Sequence, residues 1–552
     1  MAPRQGCSLI SAVAGMYRSS SRKQREFPDF YLPFSGHLDP DNRWVALAKL
    51  VPWQLAEVIY AESLCDDFGA PALPARLALG ALLIKERLGL TDRETVAAIQ
   101  ENPYLQFFIG NQEFIQQPPF DASLMVDFRK RFGEQGLARI SEAIALASIK
   151  QATKHEATAE NQENRNDPPS TTENMTADEQ QPLTDDSSDA SSANHGRLIV
   201  DATCAPADIR YPTDVSLLNE AREKTEELID ELHAPLVGKQ ARPRTYRENA
   251  RRKFVGFARR RNPKAKTIKR AKREQLNYLR RNLNHIDTLL SNPQALPLTH
   301  LSRRLYRNLL VVRELYRQQR IMYDTNTRRI DDRIVSISQP HVRPIKRGKA
   351  RCDTEFGAKL SVSVIDGFSF VDRLSWDNYN ESLDLVGQIE KYRESFGFYP
   401  ESAHVDKIYR TRANRAYCKQ RGIRLSGPPL GRPPKHVSIE EKQQARHDEA
   451  IRNTVEGKFG QAKRRFGLGR VMAKLAGTSA AQITLTFLVM NLELTLRRFF
   501  FWLLTLWWWI DPREAAVKYG VSFNSHRRQP KPGHAGDHPS TRLKLSGGTT
   551  AY

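Results

Sequence analysis

The 552-residue sequence is poor in cysteine, and acidic residues are scarce for the number of basic ones. The five cysteines are odd in number and widely separated, and no C-x-x-C pair occurs, so neither a disulfide framework nor a zinc ribbon is supported. This cysteine usage is typical of a reducing cytosol. Because 85 Lys and Arg stand against 63 Asp and Glu, the formal net charge is +22, which favours a polyanionic partner.

Long apolar segments are scarce as well. The best candidate for a membrane span is the aromatic run at 499–510, which is shorter than the roughly 20 residues that a spanning helix needs. Charged residues flank it, among them Arg498 and Asp511. We therefore expect a buried or interfacial helix there and no membrane partner.

The region 44–149 predicts helices. With 40% hydrophobic residues the chain can form real cores, and in this region they recur at helical spacing, as at Leu79 and Leu82. The segment Thr91–Glu94 has the capping-box pattern that opens a helix. We predict an all-α domain over residues 30–150.

A further helix is expected after Asp121. It carries three consecutive basic residues, Arg129, Lys130 and Arg131. They could form a face for nucleic acid or a solvated face, and three cations alone favour the solvated face.

Residues 151–196 differ in composition from the rest of the chain. Polar residues dominate, aromatic residues are lacking, and ten acidic residues stand against two basic ones. Such a segment cannot bury enough apolar surface to fold, so we predict a flexible acidic linker. We also expect a flexible N-terminus over 1–29, and an aromatic segment followed by a C-terminal tail over 496–552.

Basic residues are concentrated in residues 239–281, which hold 18 Lys and Arg but two acidic residues. Interleaved apolar residues such as Phe257 and Tyr278 predict amphipathic helices with one packed face. A solvated face is the alternative, but this charge density would repel itself without a polyanion nearby, so we favour contact with nucleic-acid phosphates. The cations that we expect to bind DNA here are Arg251, Arg252, Lys253, Arg259, Arg260 and Arg261.

Strand and helix signals alternate in the rest of the chain. Arg197–Asp201 predicts a buried strand that ends on a carboxylate, and Ser402–Asp406 repeats this pattern. Asp366-Gly367 separates two β-type runs, Lys359–Ile365 and Phe368–Leu374, and predicts a hairpin. Helices are expected at 383–396 and, longer and more polar, at 438–465. This order of elements predicts an α/β fold.

The long polar helix carries a possible phosphate-binding motif. Arg452, Glu456 and Lys463 share one face, because spacings of four and seven residues match the helical period. Ion pairs four residues apart are common on exposed helices and contribute only about 0.3 to 0.5 kcal/mol. By itself this motif is therefore weak.

The motif gains weight beside the two aspartates at strand ends. Asp201 and Asp406 can converge with Glu456 on a pair of divalent cations, and such oxygen ligands suit Mg²⁺ or Mn²⁺. Two such ions can activate an attacking oxygen and stabilise a leaving oxygen at phosphorus. We therefore predict these three residues as catalytic metal ligands, and Arg452 and Lys463 as contacts to DNA phosphate.

In this order the motifs resemble those of the DDE transposases of bacterial insertion sequences. The segments that carry the resemblance are Val200–Asp214, Trp376–Glu381, His404–Arg410, the Arg-x₃-Glu-x₆-Lys signature at Arg452–Lys463, and Phe487–Glu493. The resemblance covers about 30–495. It implies an InsH-like helical N-terminal domain and a ribonuclease H-like catalytic core over 197–495, interrupted by a basic helical insertion at about 211–350. One departure is Glu449, where the signature often has Tyr.

The same resemblance implies a function. It is that of a transposase that binds terminal inverted repeats, cleaves strands and joins the freed 3′-OH to target DNA, with Mg²⁺ or Mn²⁺ as cofactor, two ions per site. Bringing two ends together implies a homodimer or a larger complex, and the expected location is the bacterial cytoplasm at the nucleoid.

Two other functions stay open from the sequence. One is a non-catalytic architectural protein that binds DNA or RNA, and the other is a metal-dependent nuclease that does not join strands. His404 is expected to pack in the core rather than to bind metal. The remaining acids of the core segments are expected in turns, caps or supporting positions: Asp208, Asp214, Asp366, Asp372 and Glu381.

Overall fold

The computed structural model describes residues 36–65, 69–163, 194–349, 352–428 and 438–509. The predicted flexible N-terminus, most of the predicted acidic linker and the tail beyond residue 509 lie outside these ranges. The described residues up to Arg497 belong to one compact unit, and a second, small unit begins at Arg498.

The N-terminal region is helical, as predicted. Its helices are α1 (Arg43–Leu50), α2 (Trp53–Ala61), α3 (Ala75–Leu88), α4 (Asp92–Glu101), α5 (Pro103–Ile109) and α6 (Leu124–Glu163). The capping box is present at α4, where Thr91 and Glu94 each accept a hydrogen bond from the other's backbone N–H. Helix α3 is central, since its Leu79 and Leu82 are fully buried.

Helix α6 differs from the prediction in two respects. It bends at Gly133, whose backbone is not helical, and then continues to Glu163, so the first residues of the predicted linker are helical instead. Ala, Glu, Gln and Lys are frequent at 151–163 and are good helix formers, which accounts for this extension. Moreover, Arg129 is neither solvated nor part of a nucleic-acid face, because it is buried and its Nη2 lies 2.6 Å from Oδ2 of Asp92.

A mixed sheet follows the helical region. Its strands are β1 (Arg197–Pro206), β2 (Arg343–Lys349), β3 (Cys352–Ile365), β4 (Phe368–Ser375), β5 (Ser402–Val405) and β6 (Arg424–Ser426). The order is β2-β3-β1-β5-β6, and β4 also pairs with β3. The pairs among β1, β2, β3 and β4 are antiparallel, whereas β1–β5 and β5–β6 are parallel. The α/β prediction is thus confirmed at this level.

The predicted hairpin is present between β3 and β4. Asp366 and Gly367 both have positive φ angles, 47° and 79°. Two consecutive residues with positive φ make the turn whose twist matches that of the flanking strands, and Asp-Gly adopts it readily. Strand β3 starts at Cys352, seven residues before the predicted strand, because it also pairs with β2.

Four helices lie between β1 and β2, where a basic helical insertion was expected. They are α7 (Asp214–His233), α8 (Arg247–Ala258), α9 (Ala265–Leu290) and α10 (Arg303–Asp324). The inner faces of α7, α9 and α10 share one apolar core that includes Leu228, Ile286 and Val312. These three helices are therefore amphipathic, and most of their cations are outside, although Arg222 of α7 is buried and pairs with Glu226.

The remaining helices are α11 (Leu385–Phe396), α12 (Arg412–Gln420), α13 (Ile439–Arg465) and α14 (Ala476–Trp509). Ser438 caps α13 by accepting a hydrogen bond from the N–H of Glu441. Among the described residues one helical stretch, Ala476–Phe501, is long and apolar enough to cross a membrane, but 89% of its apolar window is buried. This stretch begins well before the run at 499–510 that was expected to be the best apolar candidate, and its burial is that of a core helix.

Candidate active site

Asp201 and Asp406 are adjacent because of the register of two parallel strands. Val200 of β1 is aligned with Val405 of β5, and the two aspartates are the next residues. Strand β5 ends at this point, whereas β1 continues to Pro206. The prediction of a strand that ends on Asp201 is therefore wrong: β3 pairs with Asp201 and the residues after it, and only the parallel pairing ends there.

All five residues of the predicted site line one cleft of about 890 Å³. They are Asp201, Asp406, Arg452, Glu456 and Lys463. The three that come from α13 reach the cleft because this helix packs against β1 and β5. The predicted constellation thus shares one site.

Burial is the main influence on Asp201 and raises its pKa to about 6. The N–H of Ala202 donates to Oδ1 of Asp201 at 2.8 Å and acts in the opposite direction. The negative charge of Asp406 raises the pKa further, while Arg452 lowers it. An anionic Asp201 is therefore costly in this site unless positive charge is added.

Glu456 is less closely associated with the two aspartates. Its side chain is 62% exposed, and Nη1 of Arg452 lies 3.6 Å from its Oε1. No group of three or more His, Cys, Asp and Glu side chains is close enough to hold a metal ion in the residues that the structure describes. The structure thus pairs Asp201 with Asp406 and keeps Glu456 in the same cleft, ion-paired to Arg452.

Lys359 and Glu381 also line the cleft, although neither was singled out as a site residue in the sequence. Lys359 of β3 pairs with Cys204 in the strand register, and its Nζ lies 2.5 Å from Oε2 of Glu381. The same Nζ donates to the carbonyl of Tyr379 at 2.8 Å and lies 4.9 Å from the centre of its ring. A lysine at the start of an apolar strand run was the available signal, but its partner comes from a distant segment.

The other acids have structural partners. Asp208 pairs with Arg470, Asp214 at the start of α7 pairs with Lys272 and Arg333, and the largely buried Asp372 accepts from Gln388 at 2.7 Å. Asp366 lies in the hairpin turn. None of these four lines the cleft, in agreement with the supporting roles that we expected.

His404 is packed, as expected, rather than exposed to the cleft. It is fully buried, and its Nε2 lies 3.1 Å from Oγ of Ser402. Burial lowers its pKa, so the ring is neutral in the folded protein near neutral pH.

The predicted DNA-binding cations of the helical insertion are on the surface. Arg251, Arg252 and Lys253 belong to α8, and Arg259, Arg260 and Arg261 follow it; all six are exposed. In the part of the chain that the structure describes, an ion pair with a carboxylate occurs for Lys253 among these six, at 3.7 Å from Glu274. Their exposure is compatible with a polyanionic partner and equally with a solvated face.

Comparisons with known proteins define the class. Residues 33–131 match the family model of a transposase domain, DUF772, and residues 403–493 match that of a transposase DDE domain. The second match contains Asp406 and Glu456, whereas Asp201 precedes it. The helical region and the later part of the site region thus each resemble a transposase domain.

A curated relative is available as well. It is an uncharacterized protein, ORF8 in the nfe locus of Rhizobium meliloti, which is 35% identical over 136 residues. The alignment covers 25% of this chain and 64% of the relative. No solved structure matches the chain. Together with the two family matches, this confirms the resemblance to DDE transposases that the motifs predict.

Proposed function

We propose that the protein is an insertion-sequence transposase that binds the ends of its element and catalyses metal-dependent DNA strand cleavage and strand transfer. The observation that carries the proposal is the adjacency of Asp201 and Asp406 in a cleft that Glu456, Arg452 and Lys463 also line. Two carboxylates with a third in reach, bordered by cations, suit the displacement of one oxygen by another at a phosphate.

The donor set of the cleft fits divalent cations such as Mg²⁺ or Mn²⁺. Asp201 is desolvated beside Asp406, so its pKa is raised, and a bound cation would offset this unfavourable charge. Asp201, Asp406 and Glu456 would hold the metal, two ions in all, once Glu456 exchanges its contact with Arg452. Bound there, the ions would supply activation of the attacking oxygen and stabilisation of the leaving oxygen.

The chain's own cations have a separate part in this proposal. Arg452, released from Glu456, offers a planar guanidinium that can bind a phosphate through two hydrogen bonds. Lys463 lies about two helical turns beyond Glu456 on the same face of α13 and would bind another phosphate of the strand. These contacts orient the strand, and no side chain of the protein acts as a nucleophile.

The sheet topology supports a ribonuclease H-like core. Strands β4, β3 and β1 are antiparallel neighbours, and β5 and β6 extend the sheet in parallel. In this proposal the core spans 197–495 with a basic insertion at about 211–350. The InsH-like domain spans 30–150, the linker 151–196, and the segment after 496 is a tail.

DNA is the proposed partner at two places. The cleft takes the strand to be cut, from a terminal inverted repeat or from target DNA, and the exposed cations around α8 hold flanking DNA through its phosphates. Synapsis of two ends implies a homodimer or a larger complex. Such a protein acts in the cytoplasm at the nucleoid.

The test uses the full chain, Mg²⁺ or Mn²⁺, and a labelled duplex that matches the ends of the DNA around the gene. Glu456→Ala should abolish both cleavage and joined product. Glu449→Ala is the matched control, because Glu449 is an exposed glutamate of the same helix outside the cleft. Joining that survives in Glu456→Ala would refute the proposed role of this carboxylate.

The products also separate the alternative functions. Cleavage without joined product, in the presence of target DNA, would identify a nuclease. Binding by the folded protein without any metal-dependent product would favour an architectural DNA-binding protein.

A further inference from the structure

A second cleft lies away from the site, between α8 and α9 with one residue of α10. It has a volume of about 750 Å³ and lies in the helical insertion. Cations and two aromatic rings, Phe257 and Tyr323, line it. We call it the insertion groove.

The insertion groove has a large excess of unpaired positive charge. Its lining includes a single acid, Glu274, which pairs with Arg270 at 3.2 Å and with Lys253 at 3.7 Å. The other lining cations have no carboxylate partner within the described ranges: Arg260, Lys264, Lys266, Lys269 and Arg273. Five cations around one groove repel one another, and a polyanion placed there would relieve this repulsion.

The aromatic rings of the groove are only half-buried. Phe257 comes from the last turn of α8, and Tyr323 comes from the end of α10. Tyr323 packs with one side against the apolar core of the insertion helices, and Nζ of Lys269 lies 5.8 Å from the centre of its ring. Each ring therefore contributes apolar surface to a groove that is otherwise strongly cationic.

The combination of unpaired cations and half-buried aromatic rings suits one form of nucleic acid better than another. A duplex offers its phosphates to cations, but its bases are stacked on each other and cannot lie against protein rings. A single strand offers both, and aromatic rings beside a cationic track are the usual means of binding it without sequence preference. We infer that the insertion groove binds single-stranded DNA, with phosphates on its cations and bases against Phe257 and Tyr323.

The inference rests on the proposed function for its biological setting, because strand cleavage at an element end exposes single strands. The binding itself does not depend on catalysis. It is therefore measured with the Asp406→Asn chain in EDTA, where no strand is cleaved. A chain that cannot cleave DNA can still bind single strands in this assay. Conversely, a chain that does not bind single strands in this assay can still be a transposase.

The decisive experiment compares three fluorescent probes by anisotropy. They are a dT20 strand, an abasic strand of equal length, and a duplex of the same length. Phe257→Leu combined with Tyr323→Leu should weaken binding of dT20 by about tenfold, since each stacked base contributes substantially to affinity. Binding of the abasic strand and the duplex should change by less than about twofold. An equal effect on all three probes, or none on dT20, would overturn the inference.

Two control variants separate charge from stacking. The double substitution Lys264→Gln, Lys266→Gln should weaken the binding of all three probes, because each of them contains phosphates. Phe254→Leu is the matched aromatic control, since Phe254 is half-buried on α8 but does not line the groove, and it should leave dT20 binding unchanged.

Tyr323 also contributes to packing, so its substitution carries a risk of misfolding. Phe257→Leu alone is the milder variant, and thermal unfolding of each variant verifies its fold. Independently, a strand with 5-iodouracil should crosslink to peptides that contain Phe257 or Tyr323 in the chain with both rings intact. Crosslinks confined to other peptides would count against the groove.

Discussion

Asp201 of β1 and Asp406, which directly follows β5, are each one residue beyond the aligned pair Val200 and Val405 of these two parallel strands. Backbone hydrogen bonds of the sheet hold this relationship, so it does not depend on side-chain adjustment. Glu456, by contrast, belongs to a helix and is ion-paired to Arg452. Two of the three proposed ligands are thus preorganised, and the third needs only a side-chain exchange.

Metal binding should stabilise the protein through the aspartate pair. At a free Mn²⁺ concentration 100 times the dissociation constant, linkage stabilises the folded state by about 2.7 kcal/mol. We expect the melting temperature to rise with Mn²⁺ in the wild type and to stay constant in Asp406→Asn, as measured by circular dichroism. The Glu449→Ala control should respond like the wild type. EDTA should reverse the rise, and an equal rise in Asp406→Asn would exclude this residue as a ligand.

The same substitution should stop catalysis without preventing DNA binding. The metal site contributes several kcal/mol to stabilising the transition state, so strand cleavage by Asp406→Asn should be slower by at least about 100-fold. Affinity for an end duplex, measured by gel shift, should stay within about twofold of the wild type. Loss of binding together with cleavage would instead indicate a folding defect.

The pair of Lys359 with Glu381 should stabilise the wall of the cleft. Both side chains are largely buried, so Lys359→Met leaves the carboxylate of Glu381 desolvated near Asp201. We expect a loss of about 1 to 3 kcal/mol in the free energy of unfolding by urea. Glu381→Gln should lower the free energy of unfolding by less than Lys359→Met does, because Lys359 keeps its contact with the carbonyl of Tyr379. If the double mutant loses as much free energy of unfolding as the two single mutants together, the two side chains are not coupled.

Local signals explain what could be predicted from the sequence. The capping box at Thr91 and the Asp366-Gly367 turn are each specified by neighbouring residues, and both are present. The adjacency of Asp201 and Asp406 was expected because both follow short apolar runs. The cap and the turn need no knowledge of the rest of the chain, whereas the adjacency of the two aspartates depends on the pairing of β1 with β5.

Features that depend on distant partners were missed. The continuation of β1 to Pro206 requires β3, which lies about 150 positions later. The burial of Arg129 depends on Asp92, and the place of Lys359 in the cleft depends on Glu381. None of these pairings has a periodic or local signature in the sequence. Arg129 and Lys359 therefore could not be distinguished from charged residues on the surface.

His341 should make stability depend on pH. Burial lowers its pKa to about 4, and the neighbouring charges of Arg307 and Arg343 act in the same direction. The unfolded chain binds this proton near the ordinary value of 6.5, so between about pH 6.5 and pH 4 the unfolded state holds more protons. Its contribution to stability is therefore complete above pH 6.5 and is lost as the pH falls toward 4. His341→Gln should make the melting temperature depend less on pH in this interval.

The control for this prediction is His447→Gln, which removes an exposed histidine of α13. It should leave the pH dependence of the melting temperature as in the wild type. A slope that is unchanged in His341→Gln would assign the acid sensitivity to other groups.

Glu493 of α14 should be important for attaching the N-terminal helices to the core. It pairs with Arg87 of α3, and these two side chains are only 7% and 8% exposed, while Arg465 of α13 lies 3.6 Å away. Glu493→Ala leaves the guanidinium of Arg87 buried without its carboxylate, and breaking such a pair costs about 3 to 5 kcal/mol.

The comparison that isolates this cost is the double mutant Arg87→Met, Glu493→Leu, in which no buried charge of the pair remains. It should recover much of the stability that Glu493→Ala loses, because an apolar pair of similar volume can replace a buried ion pair. Urea unfolding followed by tryptophan fluorescence is a suitable measurement, since Trp44 lies beside Arg87, at 4.6 Å from its ring centre to the guanidinium. A double mutant as unstable as Glu493→Ala would show that the contact depends on charge, and that the N-terminal helices need Glu493 itself to pack on α14.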